Sequence, residues 1–95
     1  MNREELKPGV KVKHFKNELW LDSIHPDRYT YEIIGVAHHT ETKEELVVYK
    51  ALYDDVNNHI QKGDIFCRPI SMFLSMVDTK KYPYIKQRYR FEILN

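Results

Sequence analysis

The strongest constraint on the fold is a pair of apolar runs that flank a short polar segment. The runs are TYEIIGVA (residues 30–37) and LVVYKALY (residues 46–53), and both are rich in the β-branched and aromatic side chains that favour strands. Apolar side chains occur on both faces of each run, so we expect burial on two sides. The segment between them, HHTETKEE (residues 38–45), is polar. This order predicts a β-hairpin whose loop spans residues 38–45.

The loop of this hairpin lacks the residues that usually form tight turns. Pairing Val36 with Val47 would centre the loop on Glu41 and Thr42. A two-residue turn needs residues that tolerate positive φ, such as Gly or Asn, and the loop contains none. We therefore expect a longer loop whose shape comes from side-chain hydrogen bonds.

Three further segments complete the predicted sheet. VKVKHF (residues 10–15) and YIKQRYRFEIL (residues 84–94) alternate between apolar and polar side chains, with the two-residue period of a half-buried strand. IFCR (residues 65–68) is a short apolar run that predicts a strand, which Pro69 either ends or confines to an edge of the sheet. Together with the hairpin, these segments predict about five strands.

One segment has helical rather than strand spacing. SMFLSMV (residues 71–77) predicts a helical turn or two with Ser71 as the N-cap. A chain of 95 residues suits one domain, which we assign to residues 1–95. The fold class predicted is mostly β: a small SH3-like barrel or roll of about five strands with one short helical turn. An α+β fold is the alternative if residues 71–77, or the segment around Trp20, form a longer helix.

Composition narrows the class of protein. A formal net charge of +1 is too near neutral for a dedicated nucleic-acid binder. The single cysteine, Cys67, excludes an internal disulfide and a cysteine-rich zinc site, which favours a reducing compartment. The first residues, MNREELKPG, have no apolar signal core, and no apolar run approaches the ~20 residues of a membrane helix. We therefore expect a cytoplasmic protein.

Three strings resemble a bacterial protein family known as domain of unknown function 1653. They are VKHFKN (residues 12–17), IIGVAHHTETKEELVVYKALY (residues 33–53) and FCRPISMF (residues 66–73). The resemblance covers about residues 8–77. It implies a compact β-barrel-like fold, and it implies no biochemical activity.

The candidate ligand site combines the hairpin loop with the strands beside it, in positions that match the family pattern. Its residues are His39, Glu41, Thr42, Tyr49 and Arg68. Arg68 and Glu41 could form a charge-assisted pair that orders the loop as a latch. Alternatively, His39 and Arg68 could hold a small polar or anionic ligand. Residues 42–45 also fit a capping box for a helical turn.

Enzymatic and metal-dependent functions have little support in the sequence. Imidazole and carboxylate groups are present for a metal, but no ligand spacing joins them, and we expect neither a metal nor a cofactor. The residues that could in principle bind a metal ion are His14, His38, His39, Glu41 and His59. Cys67 lies mid-strand, where we expect an inert, buried thiol rather than a nucleophile. A non-enzymatic protein is therefore the expectation.

The basic C-terminal run is the alternative binding surface. Lys86, Arg88 and Arg90 alternate with aromatic side chains, a pattern that can follow a single-stranded nucleic acid or simply form a solvated face. The function predicted is a cytoplasmic binding module for a protein or a small polar or anionic ligand near residues 38–45. Weak nucleic-acid binding is the alternative, and the module is expected to be a monomer or a weak homodimer.

Overall fold

The computed structural model describes residues 1–94, and five antiparallel strands in one sheet form its framework. The strands are β1 (Lys11–His14), β2 (Thr30–His38), β3 (Glu45–Ala51), β4 (Ile65–Pro69) and β5 (Phe91–Ile93). Their order across the sheet is β4-β3-β2-β1-β5. The predictions of a mostly-β fold and of about five strands are confirmed.

The sheet is open, so the predicted SH3-like barrel is not confirmed. Strands β4 and β5 lie at opposite ends of the strand order. The connection between β4 and β5 forms two backbone hydrogen bonds within itself. The N–H of Val77 donates to the carbonyl of Arg88, and the N–H of Arg90 donates to the carbonyl of Ser75, both at 2.8 Å. The segment that follows β4 therefore runs beside the approach to β5 without closing the sheet.

Short helices occupy the connections. The helix α1 (Ile70–Phe73) confirms the predicted short helical turn. Its N-cap is Pro69 rather than Ser71, because the extended backbone of Pro69 directly precedes the first helical residue. The described residues also form three 3₁₀ helices: Arg3–Glu5, Phe15–Trp20 and Val56–Asn58. Among residues 1–94, no helix is long and apolar enough to cross a membrane.

The central hairpin has the predicted register and one irregularity. Val36 lies opposite Val47, as the apolar pattern predicts. The register shifts between Ile33 and Gly35, where Ile34 forms a bulge and is 41% exposed. The expectation of burial on two sides is wrong for this strand pair, because the bulge and the outward side chains meet solvent.

Aromatic side chains dominate the core, which lies on one face of the sheet. The rings of Phe73 and Phe91 stack with centroids 3.9 Å apart. The hydroxyls of Tyr31 and Tyr53 form a hydrogen bond of 2.9 Å, and the ring of Tyr49 packs edge-on against Tyr31. The core thus joins β1, β2, β3, α1 and β5, and the C-terminal ends of β1 and β4, at His14 and Arg68, border a cavity.

Candidate functional site

The hairpin loop is held by its own residues. The Nδ1 of His39 accepts hydrogen bonds from the N–H of Glu41 at 3.1 Å and the N–H of Thr42 at 3.3 Å. The hydroxyl of Thr42 accepts from the N–H of Glu44 at 3.3 Å, and the His39 N–H donates to the Glu44 carbonyl at 2.8 Å. Lys43 adopts the positive φ of 66° that closes the turn. The loop is therefore ordered by side-chain bonds, in which the Nδ1 of His39 is the central acceptor, together with backbone bonds that join His39 to Lys43 and Glu44.

Arg68 lies apart from this loop network. It pairs in register with Val47, and its Nε donates to the hydroxyl of Tyr49 at 3.4 Å. Its guanidinium carbon lies 5.6 Å from the ring centroid of Phe91. In the part of the chain that the structure describes, Arg68 forms no ion pair and no hydrogen bond with Glu41. The structure thus divides the five candidate residues into a loop group and the pair of Tyr49 with Arg68.

The capping-box hypothesis for residues 42–45 is wrong. No helical turn follows Thr42, because Glu45 begins β3 and pairs with His38 in the ladder. The Glu45 carboxylate instead forms an ion pair with Arg3 from the N-terminal segment. This pair anchors the N-terminus to the edge of the hairpin.

Arg68 borders a cavity of about 290 Å³ with three other basic side chains. We call this cavity the basic pocket, after the basic residues Lys16, Arg68, Lys81 and Arg90. The remaining lining comes from His14, Phe15, Asp78 and Tyr82. The pocket therefore joins the end of β1, the end of β4 and the connector that leads to β5.

The charges around the basic pocket are unbalanced. Within residues 1–94, none of its four basic side chains is in an ion pair. The one carboxylate in the lining of the described chain is that of Asp78. It accepts from the N–H groups of Lys80 at 3.0 Å and Lys81 at 3.3 Å, and these bonds stabilise the turn that Asp78 begins. Such a concentration of one charge in a concave site attracts anions.

Both arginines of the pocket are held through the same atom. The Nε of Arg68 donates to the Tyr49 hydroxyl, and the Nε of Arg90 donates to the hydroxyl of Ser75 at 3.1 Å. Neither guanidinium uses its terminal nitrogens in a hydrogen bond to the described residues. Each arginine is thus oriented by the protein and keeps its two-pronged end available.

His14 contributes a neutral ring to the pocket. It is only 7% exposed, and its Nδ1 accepts from the N–H of Lys16 at 3.1 Å. Burial, reinforced by the positive charges of Arg68, Arg90 and Lys16, lowers the pKa of His14 to about 3. The ring is therefore uncharged at neutral pH, with its proton on Nε2. The sequence reasoning considered His14 only as a metal ligand and missed this role.

Of the three residues in the nucleic-acid alternative, only Arg90 reaches the basic pocket. Lys86 and Arg88 are exposed, and their backbone N–H groups donate to the carboxylates of Glu18 and Glu92. The predicted strand over residues 84–94 is therefore wrong at its start, because these N–H groups bind side chains rather than a neighbouring strand. Tyr89 forms an isolated antiparallel bridge with Met76, and the regular strand begins at Phe91. The three basic residues do not form one row.

Cys67 lies on the outward face of β4 and is exposed, so the expectation of a buried thiol is wrong. The short strand β4 is an edge strand, which is one of the two positions that Pro69 predicts, and its outward face meets solvent. Residues 1–94 contain no group of three or more His, Cys, Asp or Glu side chains placed to hold a metal ion.

A larger surface groove of about 610 Å³ lies elsewhere, along residues 54–64. Its charged lining consists of Asp54 and Asp64, and both carboxylates already accept backbone N–H groups of that loop. The groove therefore lacks the surplus of basic side chains that lines the smaller basic pocket.

A family model described as a protein of unknown function (DUF1653) matches residues 10–93. This match confirms the resemblance and extends beyond residue 77, so it includes the connector that supplies Asp78, Lys81 and Arg90 to the basic pocket. No curated protein and no solved structure matches the chain.

Proposed function

The chain belongs to the DUF1653 family, and from this premise we propose that it is a non-enzymatic module that binds a small anion in the basic pocket. One observation carries the proposal: four basic side chains without ion-pair partners in the described chain surround a cavity of about 290 Å³. The proposal retains Arg68 and Tyr49 from the sequence-based site. The proposed ligand position is the basic pocket, which Arg68 lines, and no longer the loop at residues 38–45. A cytoplasmic location, favoured by the single cysteine, is part of the proposal.

The repulsion among the four basic side chains of the pocket supports this function, because a bound anion would reduce it. Like charges in one partly enclosed site repel one another, and the repulsion is stronger there than in bulk water. A bound anion would remove this repulsion and would gain charge-assisted hydrogen bonds from the two guanidinium groups. Because the anion binds the folded state, its binding would also raise the free energy of unfolding.

The chemistry of the lining favours binding over catalysis. A general acid or base works best with a pKa near the working pH, and the pKa of His14 lies at about 3. Among residues 1–94, those that line the pocket include no serine or cysteine that could act as a nucleophile. His14 is therefore suited to donating a hydrogen bond from an uncharged ring.

Thermal unfolding with added anions tests the proposal. At constant ionic strength, millimolar inorganic phosphate, sulfate or citrate should raise the Tm above that in chloride. Lys16→Gln should reduce this rise, whereas the matched control Lys86→Gln should not, because Lys86 is exposed outside the pocket. An equal Tm in all anions, or an equal effect of the two variants, would refute anion binding in the basic pocket.

A second candidate is weak binding of single-stranded nucleic acid by the C-terminal segment. The observation that favours it is Tyr84, which is 91% exposed and lies close in sequence to the exposed Lys86 and Arg88. An exposed ring with flanking cations can stack a base and contact phosphates. Binding of a labelled oligothymidine should then fall steeply with salt and on combined Lys86→Ala and Arg88→Ala substitution. Binding that depends on Arg90 alone would favour the basic pocket instead.

A further inference from the structure

We infer that the anion held by the basic pocket is a terminal phosphate monoester, gripped between the two guanidinium forks of Arg68 and Arg90. This inference rests on the proposed anion-binding function and specifies its ligand class. It follows from how the two arginines are held, from the charge around them and from the neutral ring of His14.

The two arginines present four free terminal nitrogens. Their Nε atoms are already bound to the hydroxyls of Tyr49 and Ser75, so each guanidinium is fixed in direction. A carboxylate is planar and has two oxygens, and one fork already engages both of them. A phosphate monoester has three terminal oxygens, which can accept from two forks and from one further donor. The paired forks therefore match a tetrahedral group better than a carboxylate.

His14 supplies the further donor. Because its Nδ1 accepts the N–H of Lys16, the neutral ring keeps its proton on Nε2. In the described chain, Nε2 has no hydrogen-bond partner. An uncharged donor adds a hydrogen bond without adding another positive charge to the site.

Net charge distinguishes a phosphate monoester from a phosphodiester and from a sulfate ester. A phosphate monoester carries about −1.5 to −2 at pH 7, whereas a phosphodiester or a sulfate ester carries a single negative charge. Four basic residues against the one carboxylate of Asp78 leave a surplus of positive charge that suits the higher value. Asp78 also disfavours a second acidic group at its side of the pocket.

Aromatic rings border the space that remains for the organic part. The ring of Tyr82 lies 4.8 Å from that of Phe15, and both line the pocket. A cavity of about 290 Å³ is at the small end of the range for ligand pockets, roughly 300–1,000 Å³. A small phosphate ester, rather than a folded macromolecular surface, fits this volume.

Three matched probes test the ligand class by calorimetric titration of the full chain at pH 7.5. Phenyl phosphate is a dianionic monoester, phenyl sulfate has a similar shape with one charge, and methyl phenyl phosphate is a diester. Phenyl phosphate should bind at least tenfold more tightly than the other two. Equal affinity for the three probes would overturn the monoester inference while leaving anion binding intact. If none of the probes or inorganic anions binds, the proposed function itself fails.

Variants that keep the positive charge test whether the two-pronged guanidinium groups of Arg68 and Arg90 bind the phosphate. Arg68→Lys and Arg90→Lys keep the positive charge but lose the two-pronged geometry, so each should weaken phenyl phosphate binding about tenfold. Arg88→Lys, exposed outside the pocket, is the matched control and should bind as the wild type does. If Arg68→Lys does not fold, Arg90→Lys alone decides, because its side chain is not part of the buried core. Wild-type affinity in Arg90→Lys would overturn the inference.

A 5′-phosphorylated trinucleotide and its 5′-hydroxyl counterpart distinguish two sources of the same group. Tighter binding of the phosphorylated form than of phenyl phosphate supports a nucleic-acid end as the source. Weaker but phosphate-dependent binding supports a free small ester. Equal binding with and without the 5′-phosphate would contradict monoester recognition.

Discussion

The Nε of Arg68 donates to the hydroxyl of Tyr49 at 3.4 Å, so a core tyrosine of β3 orients a pocket arginine of the neighbouring strand β4. The two residues are diagonal neighbours, since Arg68 lies opposite Val47, two positions before Tyr49. The core is therefore connected directly to the basic pocket, and a change in the core can alter the pocket without touching its lining.

Tyr49→Phe should weaken anion binding in the basic pocket. The substitution removes only the hydroxyl that holds Arg68, and a net hydrogen bond contributes about 0.5–1.5 kcal/mol. We expect the affinity for phosphate probes to fall about two- to tenfold, as measured by calorimetric titration. Tyr53→Phe is the control, because its hydroxyl bonds to Tyr31 and not to a pocket residue. An equal loss of affinity in both variants would argue against the orienting role.

The hairpin is the part of the fold that the sequence predicts best. Two β-rich runs around a polar loop leave few registers that bury one apolar face, so the pairing of Val36 with Val47 follows from the pattern. Arg68 could also be identified, as a motif residue next to the hairpin. The bulge at Ile34 could not, because one extra residue in a uniformly apolar run leaves no mark on the pattern.

The sequence does not predict the basic pocket, because the residues that line it are far apart along the chain. His14, Arg68 and Arg90 come together only when β1, β4 and the approach to β5 meet around the aromatic core. The approach to β5 is fixed by Glu18, whose carboxylate accepts the N–H groups of Lys86 and Gln87. A side-chain contact across 68 residues has no periodic signature, so the alternating pattern of residues 84–94 predicted a strand instead.

The hairpin loop should depend on the acceptor atom of His39. His39→Ala removes the group that accepts the N–H of Glu41 and Thr42, so we expect a loss of about 0.5–1.5 kcal/mol in the free energy of unfolding. Hydrogen exchange of these two amides should become faster. His39→Asn keeps a side-chain acceptor and should retain most of the protection. His38→Ala is the adjacent exposed control, and an effect as large as that of His39→Ala would contradict the role of His39 in ordering the loop.

His14 should make the fold sensitive to mild acid. Its pKa is about 3 in the folded protein, against about 6.5 for an unperturbed histidine, because burial and the nearby cations disfavour the charged ring. The unfolded chain therefore binds more protons than the folded one between these two values. The stabilisation from the neutral ring is complete above pH 6.5, and it is lost as the pH falls towards 3.

The variant His14→Asn isolates this contribution to the pH dependence. Asparagine retains an acceptor for the N–H of Lys16 but does not titrate, so the free energy of unfolding should lose part of its dependence on pH. Between pH 6 and 5, above the ordinary range of carboxylates, the wild-type slope should exceed that of the variant by up to about 1.4 kcal/mol per pH unit in urea denaturation. His59→Asn is the matched control, because His59 is exposed and has a positive φ of 56° that asparagine tolerates. Parallel pH profiles for wild type and His14→Asn would show that the fold does not lower the pKa of His14.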